Sequence, residues 1–341
     1  MLYIRADGNT DIGMGHVMRC LSIAEAAADL GCSPVFITAD NGCLSMIEER
    51  GFRAIVLNTD YRDMLSEIPQ LKKIVKQQKD MILIDSYQAD DAYFDAVKEF
   101  VQTACLEDMG VPHPVCLLIN YNIYAPQLAD NYKELEDVLL GIQYMPLRKA
   151  FQAPCEYQIK DKITDVMITT GGSDPYFAAA AFMDAILADT FLSKQKINWH
   201  IVSGPFNRFA EELKNRYQSC KNVCIHENVK DMRELLLQTD VVLTAAGSTV
   251  YEVSSLGIPM IVFYFAENQR QGACALAELT QIVNAGCFAK NSQAVTDKAV
   301  KALHQCVAEK TYRERLYEQE RQLVDGKGAQ RIAKALMDRT I

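Results

Sequence analysis

Leu2-Tyr3-Ile4-Arg5-Ala6-Asp7-Gly8-Asn9-Thr10-Asp11-Ile12-Gly13-Met14-Gly15-His16 opens the chain, and a helical pattern runs on to Leu30. A short apolar strand, Leu2 to Arg5, thus passes through a glycine loop directly into a helix. Strand, glycine turn and helix in this order begin a β-α-β unit, and that reading decides the fold class. The glycines let a ligand approach the backbone, and the first N–H groups of the helix point at it. The pattern is G-x-G-H, formed by Gly13, Gly15 and His16. It is not the dinucleotide fingerprint, because Met18 stands where the third glycine belongs, and it is not a P-loop. A nicotinamide or nucleoside triphosphate site is disfavoured there.

Outward from this loop the same plan repeats. Strand-like runs at Val35 to Thr38, Ala54 to Leu57, Met81 to Asp85, Thr103 to Glu107 and Val115 to Asn120 alternate with helical patterns. Those patterns are Leu44 to Arg50, Met64 to Gln78 and Asp91 to Val101. The plan restarts with Val166 to Thr170, the turn Gly171-Gly172-Ser173-Asp174-Pro175 and a helix at Tyr176 to Leu187. Strands follow at Trp199 to Ser203, Val223 to His226, Val241 to Thr244 and Met260 to Phe263. Helices are expected at Arg208 to Tyr217, Asp231 to Leu237, Ser248 to Leu256 and Gln269 to Val283. The tail from Ala299 to Met337 reads as helical almost throughout. The expectation is an α/β protein with two Rossmann-like domains, residues 1–148 and 149–341, the final helices being free to pack back on the first. The join near Tyr144 to Ile163 holds Pro146 and Pro154 and little periodicity. Ligands of such sheets bind beyond the carboxyl ends of the strands.

Composition agrees with a globular chain of 341 residues, for which about two domains is the prior. Apolar residues make up 49% and charged residues 23%, which excludes disordered and fibrous classes. The apolar stretches Ile258 to Ala266 and Met81 to Ile84 fall well short of the roughly 20 residues of a membrane helix. The start, charged at Arg5, does not read as a signal peptide, so a cytoplasmic location is expected. The net charge of −9, with no basic stripe, argues against nucleic acid as a partner. Eleven cysteines lack C-x-x-C spacing and are expected buried and reduced, Cys224 within Val223-Cys224-Ile225 among them. His113, His200, His226 and His304 have no metal-ligand spacing and read as structural or exposed; neither metal nor cofactor is expected.

His16 is the sharpest single feature. In the first helical turn, the positive helix end disfavours imidazolium, and a neutral imidazole is a usable general base. The competing reading is a His that caps its own loop. Asp85-Ser86-Tyr87 ends the fourth strand; Tyr87 can stack on or bond to a sugar, whereas Ser86 lacks the G-x-S-x-G elbow of a nucleophile. Asp90 reads as a helix cap. At Gly171 and Gly172, Asp174 can cap a helix begun by Pro175, and plain turn and ligand contact remain equal alternatives. Gly247, Ser248 and Thr249 permit close approach of a diphosphate and add hydroxyl donors, while Glu252 can accept from ribose hydroxyls. Asn268 and Gln269 can read sugar hydroxyls or acetamido groups. Ordinary turns and helix starts are the alternatives at each.

Taken in order, these segments resemble the UDP-sugar hydrolases of pseudaminic acid biosynthesis, a group that includes spore coat polysaccharide biosynthesis proteins. The resemblance rests on Ile4-Arg5-Ala6-Asp7, Ile12 to Leu21, Thr170 to Pro175, Ala245 to Thr249 with Glu252, Leu256-Gly257-Ile258-Pro259 and Ala266-Glu267-Asn268-Gln269. The C-terminal set is shared more widely with GT-B glycosyltransferases. The resemblance implies a GT-B fold with an interdomain site, and hydrolysis of a UDP-linked diacetamido-trideoxy sugar to UDP and free sugar. It places the catalytic His on His16. It places Gly13, Gly15, Arg19, Tyr87, Gly171, Gly172, Gly247, Ser248, Thr249, Glu252, Asn268 and Gln269 in the substrate-binding set. Two residues depart from the family: Ser86 stands where a His usually precedes the Tyr, and Glu267 where an Asp precedes Asn-Gln. UDP-sugar and UDP are the expected partners, and the chain is expected to be a monomer or weak dimer. Alternatives are a glycosyltransferase of surface polysaccharide assembly, a non-catalytic nucleotide-sugar-binding protein and a UDP-sugar 2-epimerase.

Overall fold

The computed structural model describes residues 1–9, 11–153 and 157–340. Thr10 of the glycine loop and Pro154 and Cys155 of the join lie outside the described residues. The chain divides into two compact units, Met1–Gln152 with Gly326–Ile341, and Ala153–Asp325.

The first unit runs β1 (Leu2–Ala6), α1 (Gly15–Asp29), β2 (Val35–Thr38), α2 (Leu44–Glu49), β3 (Arg53–Val56), α3 (Ile68–Ile74), β4 (Met81–Asp85), α4 (Asp91–Lys98), β5 (Gln102–Leu106), β6 (Leu117–Asn120) and β7 (Val138–Leu140). All seven strands are parallel, in the order β3-β2-β1-β4-β5-β6-β7. β1 and β4 are buried along their whole length, as unbroken apolar strands are when helices cover both faces of a sheet. Tyr3, Ile37, Ile82, Ile84, Tyr93 and Phe94 belong to the core on one side. The helix expected over Met64 to Gln78 is instead a 3₁₀ turn, Met64–Glu67, followed by α3. Pro69 explains the break, since a residue without an N–H fits only the first turn of a helix. Asp90 caps α4, accepting from the N–H of Tyr93 at 2.9 Å.

The second unit runs β8 (Asp165–Thr169), α5 (Ala178–Ala188), β9 (Asn198–Ser203), α6 (Ala210–Tyr217), β10 (Val223–Glu227), α7 (Met232–Leu237), β11 (Val241–Ala245), α8 (Thr249–Leu256), β12 (Met260–Tyr264), α9 (Glu267–Leu279), β13 (Val283–Cys287), α10 (Ser292–Ala308) and α11 (Lys310–Leu323). Its six parallel strands are ordered β10-β9-β8-β11-β12-β13. The helix expected to reach Val283 stops at Leu279, where Thr280 takes an extended backbone, and Val283 begins a strand. Asn284 and Gly286, both poor strand formers, hide that strand from a reading of the sequence. The chain then returns to the first unit with α12 (Gly328–Met337), which packs on α1.

Ten cysteines are described, all as free thiols. Cys20, Cys43, Cys105 and Cys306 are buried, but Cys116 and Cys224 are exposed. The expectation of burial fails at Cys224, which lies on β10, an edge strand with no fully buried residue. Among the described residues, no helix is long and apolar enough to cross a membrane.

In each unit the strand order reverses once, between β1 and β4 and between β8 and β11. The crevice beyond the carboxyl ends at such a reversal is where open α/β sheets bind ligands.

Candidate active site

The reversal in the first unit lies where Asp7 follows β1 and Ser86 follows β4, Ala6 being in register with Asp85. The glycine loop closes on itself. Oδ1 of Asn9 accepts from the N–H groups of Asp11 and Ile12 at 2.9 and 3.1 Å. Gly13 donates to the Asn9 carbonyl at 2.9 Å and takes a left-handed φ of 74°, which a side chain would strain. The loop delivers Gly15 as the first residue of α1, with His16 next and Arg19 one turn on along the same face.

His16 does not cap its own loop. Its Nδ1 lies 2.6 Å from Oδ1 of Asp85. Arg19 grips that carboxylate with two N–H groups, Nε to Oδ2 at 2.6 Å and Nη2 to Oδ1 at 2.5 Å. Burial pushes the Asp85 carboxyl up, but the Arg19 guanidinium and His16 outweigh it and hold it well below the usual carboxylate range. An ionised carboxylate has no proton to give, so the 2.6 Å contact puts the proton on Nδ1 of His16. In the neutral imidazole Nε2 then keeps the lone pair, the tautomer a general base needs.

Around this pair, Nη1 of Arg19 donates to Oδ2 of Asp108 at 2.7 Å and to the Tyr121 hydroxyl at 2.5 Å. The Tyr87 hydroxyl donates to the same Asp108 oxygen at 2.9 Å. The Tyr87 ring stands edge-on to the His16 ring, centroids 4.7 Å apart, and is 60% exposed. Asp7, Ile12, His16, Tyr61, Asp85, Ser86, Tyr87 and Gln88 line a recess of about 30 Å³, enough for a water molecule. Behind it, Arg5 bonds to Asp7 at 2.6 Å and to Glu67 at 2.8 Å, all three buried. His16, Arg19 and Tyr87 thus converge in one cluster at the head of the Gly13–Gly15 loop. Asp85 as the partner of His16, and Asp108 and Tyr121 as partners of Arg19, are what the sequence reading missed. The signal was only their position after strands, on segments far apart in the chain.

The remaining expected residues lie in the second unit, on loops after the adjacent strands β8, β11 and β12. Gly171 and Gly172 follow β8. A Cβ on Gly204, which follows β9, would come within 2.1 Å of the Gly171 carbonyl oxygen, so only glycine permits that approach. Asp174 accepts from the N–H groups of Ala178 and Ala179 at 2.8 and 2.9 Å. It caps α5 as expected, but the helix begins at Ala178 rather than Pro175, because Phe177 takes a left-handed conformation. Gly247, exposed Ser248 and Thr249 form the turn from β11 into α8, and Glu252 is buried one turn further on. Asn268 is exposed at the start of α9, where Oε1 of Gln269 accepts from the Phe265 N–H at 2.9 Å. Among the described residues, no group of three His, Cys, Asp or Glu side chains is disposed to hold a metal ion.

Comparison with known proteins agrees with this architecture. Residues 166–336 match the glycosyltransferase family 28 C-terminal domain. An uncharacterized protein of Methanocaldococcus jannaschii is 28% identical over 79% of this chain, and the match spans 56% of that protein's length. The spore coat polysaccharide biosynthesis protein SpsG of Bacillus subtilis is 25% identical, covering 98% of this chain and 97% of its own. The UDP-2,4-diacetamido-2,4,6-trideoxy-beta-L-altropyranose hydrolase of Campylobacter jejuni is 23% identical over 80% of this chain and 95% of its own. In structure the chain is similar to Acinetobacter baumannii MurG, with a TM-score of 0.69 at 13% identity over 99% of both chains. That likeness and the two parallel sheets define a two-Rossmann, GT-B-type fold. The chain belongs to the glycosyltransferase family 28 C-terminal domain family, and it is similar in sequence to a spore coat polysaccharide biosynthesis protein and to a UDP-sugar hydrolase.

Proposed function

We propose that the chain hydrolyses a UDP-linked diacetamido-trideoxy sugar at the anomeric C–O bond, for pseudaminic-type acid or surface polysaccharide biosynthesis. A UDP-sugar is the substrate named for the Campylobacter jejuni relative, and the family 28 match supports an enzyme of the sugar-transfer class; hydrolysis is the further step. The observation that carries it is the His16–Asp85 pair, 2.6 Å apart, beside a recess the size of a water molecule. Nε2 of His16 takes a proton from that water as its oxygen attacks the anomeric carbon. The bond from that carbon to the diphosphate oxygen breaks, and its electron pair leaves on UDP. Asp85 stabilises the imidazolium that forms. N–H groups at Gly171, Gly172 and Gly247, with the hydroxyls of Ser248 and Thr249, are assigned to the diphosphate, whose developing charge they stabilise. Glu252 is assigned to the ribose, and Asn268, Gln269 and Tyr87 to the sugar.

A glycosyltransferase is the second reading, favoured by the family 28 match and by Ser86 at the place of the resembled family's His. In it an acceptor hydroxyl replaces the water. The deciding experiment follows UDP release from a panel of UDP-sugars, diacetamido-trideoxy sugars included, with chelator present and no acceptor. The hydrolase reading expects UDP and free sugar, both lost in His16→Asn. UDP binding without release would move the assignment to a transferase.

A further inference from the structure

Arg19 differs from every other residue of this cluster in how it uses its side chain. A guanidinium has five N–H groups. Two are committed to Asp85, one to Asp108 and one to Tyr121. The fifth is on Nη2, which lies 3.2 Å from Nδ1 of His16. The side chain is 11% exposed, so its polar atoms face the protein. A lysine would supply the same charge, but only the planar guanidinium meets a carboxylate with two parallel bonds.

We propose that Arg19 is the positioning residue of the reaction and not a ligand of the substrate. Its fork fixes the Asp85 carboxylate so that Nδ1 of His16 keeps its proton and Nε2 stays bare. Its other arm, through Asp108, holds Tyr87 edge-on to the same ring. The proposal rests on the hydrolase reading for the reaction it serves. The other groups at this spot leave the task to Arg19. Asp7 is already engaged by Arg5 and by the N–H of Ala39. The Tyr61 hydroxyl donates to Asp11 at 3.5 Å. Cys20 gives Oδ2 of Asp85 a 3.5 Å thiol contact, too weak to orient it.

The test uses the full chain with isotope-labelled histidine. Long-range proton–nitrogen spectra at mildly alkaline pH report which ring nitrogen is protonated, and His16→Asn identifies the His16 signals. The expected result is Nδ1 protonated and Nε2 bare in the wild type. In Arg19→Gln and Arg19→Lys the proton is shared between the two nitrogens. Turnover of Arg19→Lys falls by about 10²-fold in kcat, the scale of a small misplacement of a reacting group, while KM and UDP affinity stay within about threefold. If Arg19→Gln fails to fold, Arg19→Lys, which keeps the charge, carries the test alone. A raised KM or weakened UDP binding with the His16 tautomer unchanged would make Arg19 a substrate ligand and overturn the proposal. If no UDP-sugar is turned over by the wild type but the tautomer still moves in the Arg19 variants, the hydrolase reading falls and the positioning role stands.

Discussion

Oδ1 of Asp85 and Nδ1 of His16 meet at 2.6 Å although 69 residues separate them. Each side chain fixes the state of the other: Asp85 sets the tautomer, and the His16 N–H with Arg19 keeps Asp85 ionised. Asp85→Asn breaks this relation without changing the size of the side chain. An amide can donate to Nδ1, which moves the ring proton to Nε2 and removes the base. The loss expected in kcat is about 10³–10⁴-fold, as for hydrolases whose His is oriented by a carboxylate. The same change leaves Arg19 with one carboxylate fewer and lowers stability by roughly 3 kcal/mol. Steady-state UDP release and a urea titration of the variant check the two effects separately. His16→Asn abolishes turnover but leaves UDP affinity within about tenfold, or about 1.4 kcal/mol, which calorimetry of UDP binding measures.

The local features of this molecule were legible in the sequence. Strand, glycine loop and helix read directly from Leu2 to Leu30, and Asp90 and Asp174 declared themselves as caps because a cap binds N–H groups three to five residues away. The partners of His16 and Arg19 were not legible. Asp85 ends β4 and Asp108 lies two residues beyond β5, and they reach α1 only because β4 lies beside β1 in the sheet. Sequence spacing carries no trace of that adjacency. β7 and β13 escaped for a different reason. Three residues of β7 are too few to show alternation, and β13 spends two of its five positions on Asn284 and Gly286.

Tyr87 offers its ring and its hydroxyl in different directions. The hydroxyl is bound to Asp108 at 2.9 Å, and the ring stands 4.7 Å from that of His16. The hydroxyl is therefore already spent, and the exposed ring face is what remains for a sugar. Tyr87→Phe keeps turnover within about tenfold, the scale of one lost hydrogen bond. Tyr87→Ala removes the ring and lowers kcat/KM by about 10²-fold, since a stacking partner and a wall of the recess go together. Comparing the two variants on one substrate separates the roles; equal losses would assign the hydroxyl instead.

Gly204 ties the end of β9 to the Gly171–Gly172 turn. The close approach of 2.1 Å for a Cβ is to a backbone oxygen, and the N–H of Phe206 donates to the Gly172 carbonyl at 2.9 Å. Backbone cannot swing aside as a side chain can, so Gly204→Ala displaces the turn. UDP affinity is expected to fall by about 10-fold or more, with stability lower by roughly 1–3 kcal/mol. The His16 pair lies in the other unit, so its ring signals stay as in the wild type. Unchanged UDP affinity in a folded Gly204→Ala protein would remove the Gly171–Gly172 turn from the diphosphate assignment.

Glu320 on α11 is buried, and among the described residues it has no ion-pair partner. One oxygen accepts from the N–H of Met260 at 3.2 Å, at the start of β12, and the other has no partner. Burial pushes this carboxyl well above the usual carboxylate range, and the Met260 bond offsets only part of the shift. The unfolded chain releases the proton near the ordinary value of about 4.3, whereas the folded chain still holds it. Across that interval the native state binds more protons than the unfolded state, so stability falls as pH rises from about 4.3 towards the raised value. Glu320→Gln keeps an acceptor for Met260 and has no proton to lose. It is therefore expected to match the wild type near about pH 4 and to exceed it by roughly 1–3 kcal/mol near about pH 8. Urea midpoints of both proteins at the two pH values measure this. A gain that is the same at both would mean that the carboxyl titrates alike in the folded and unfolded chain, and that its burial carries no linkage to pH.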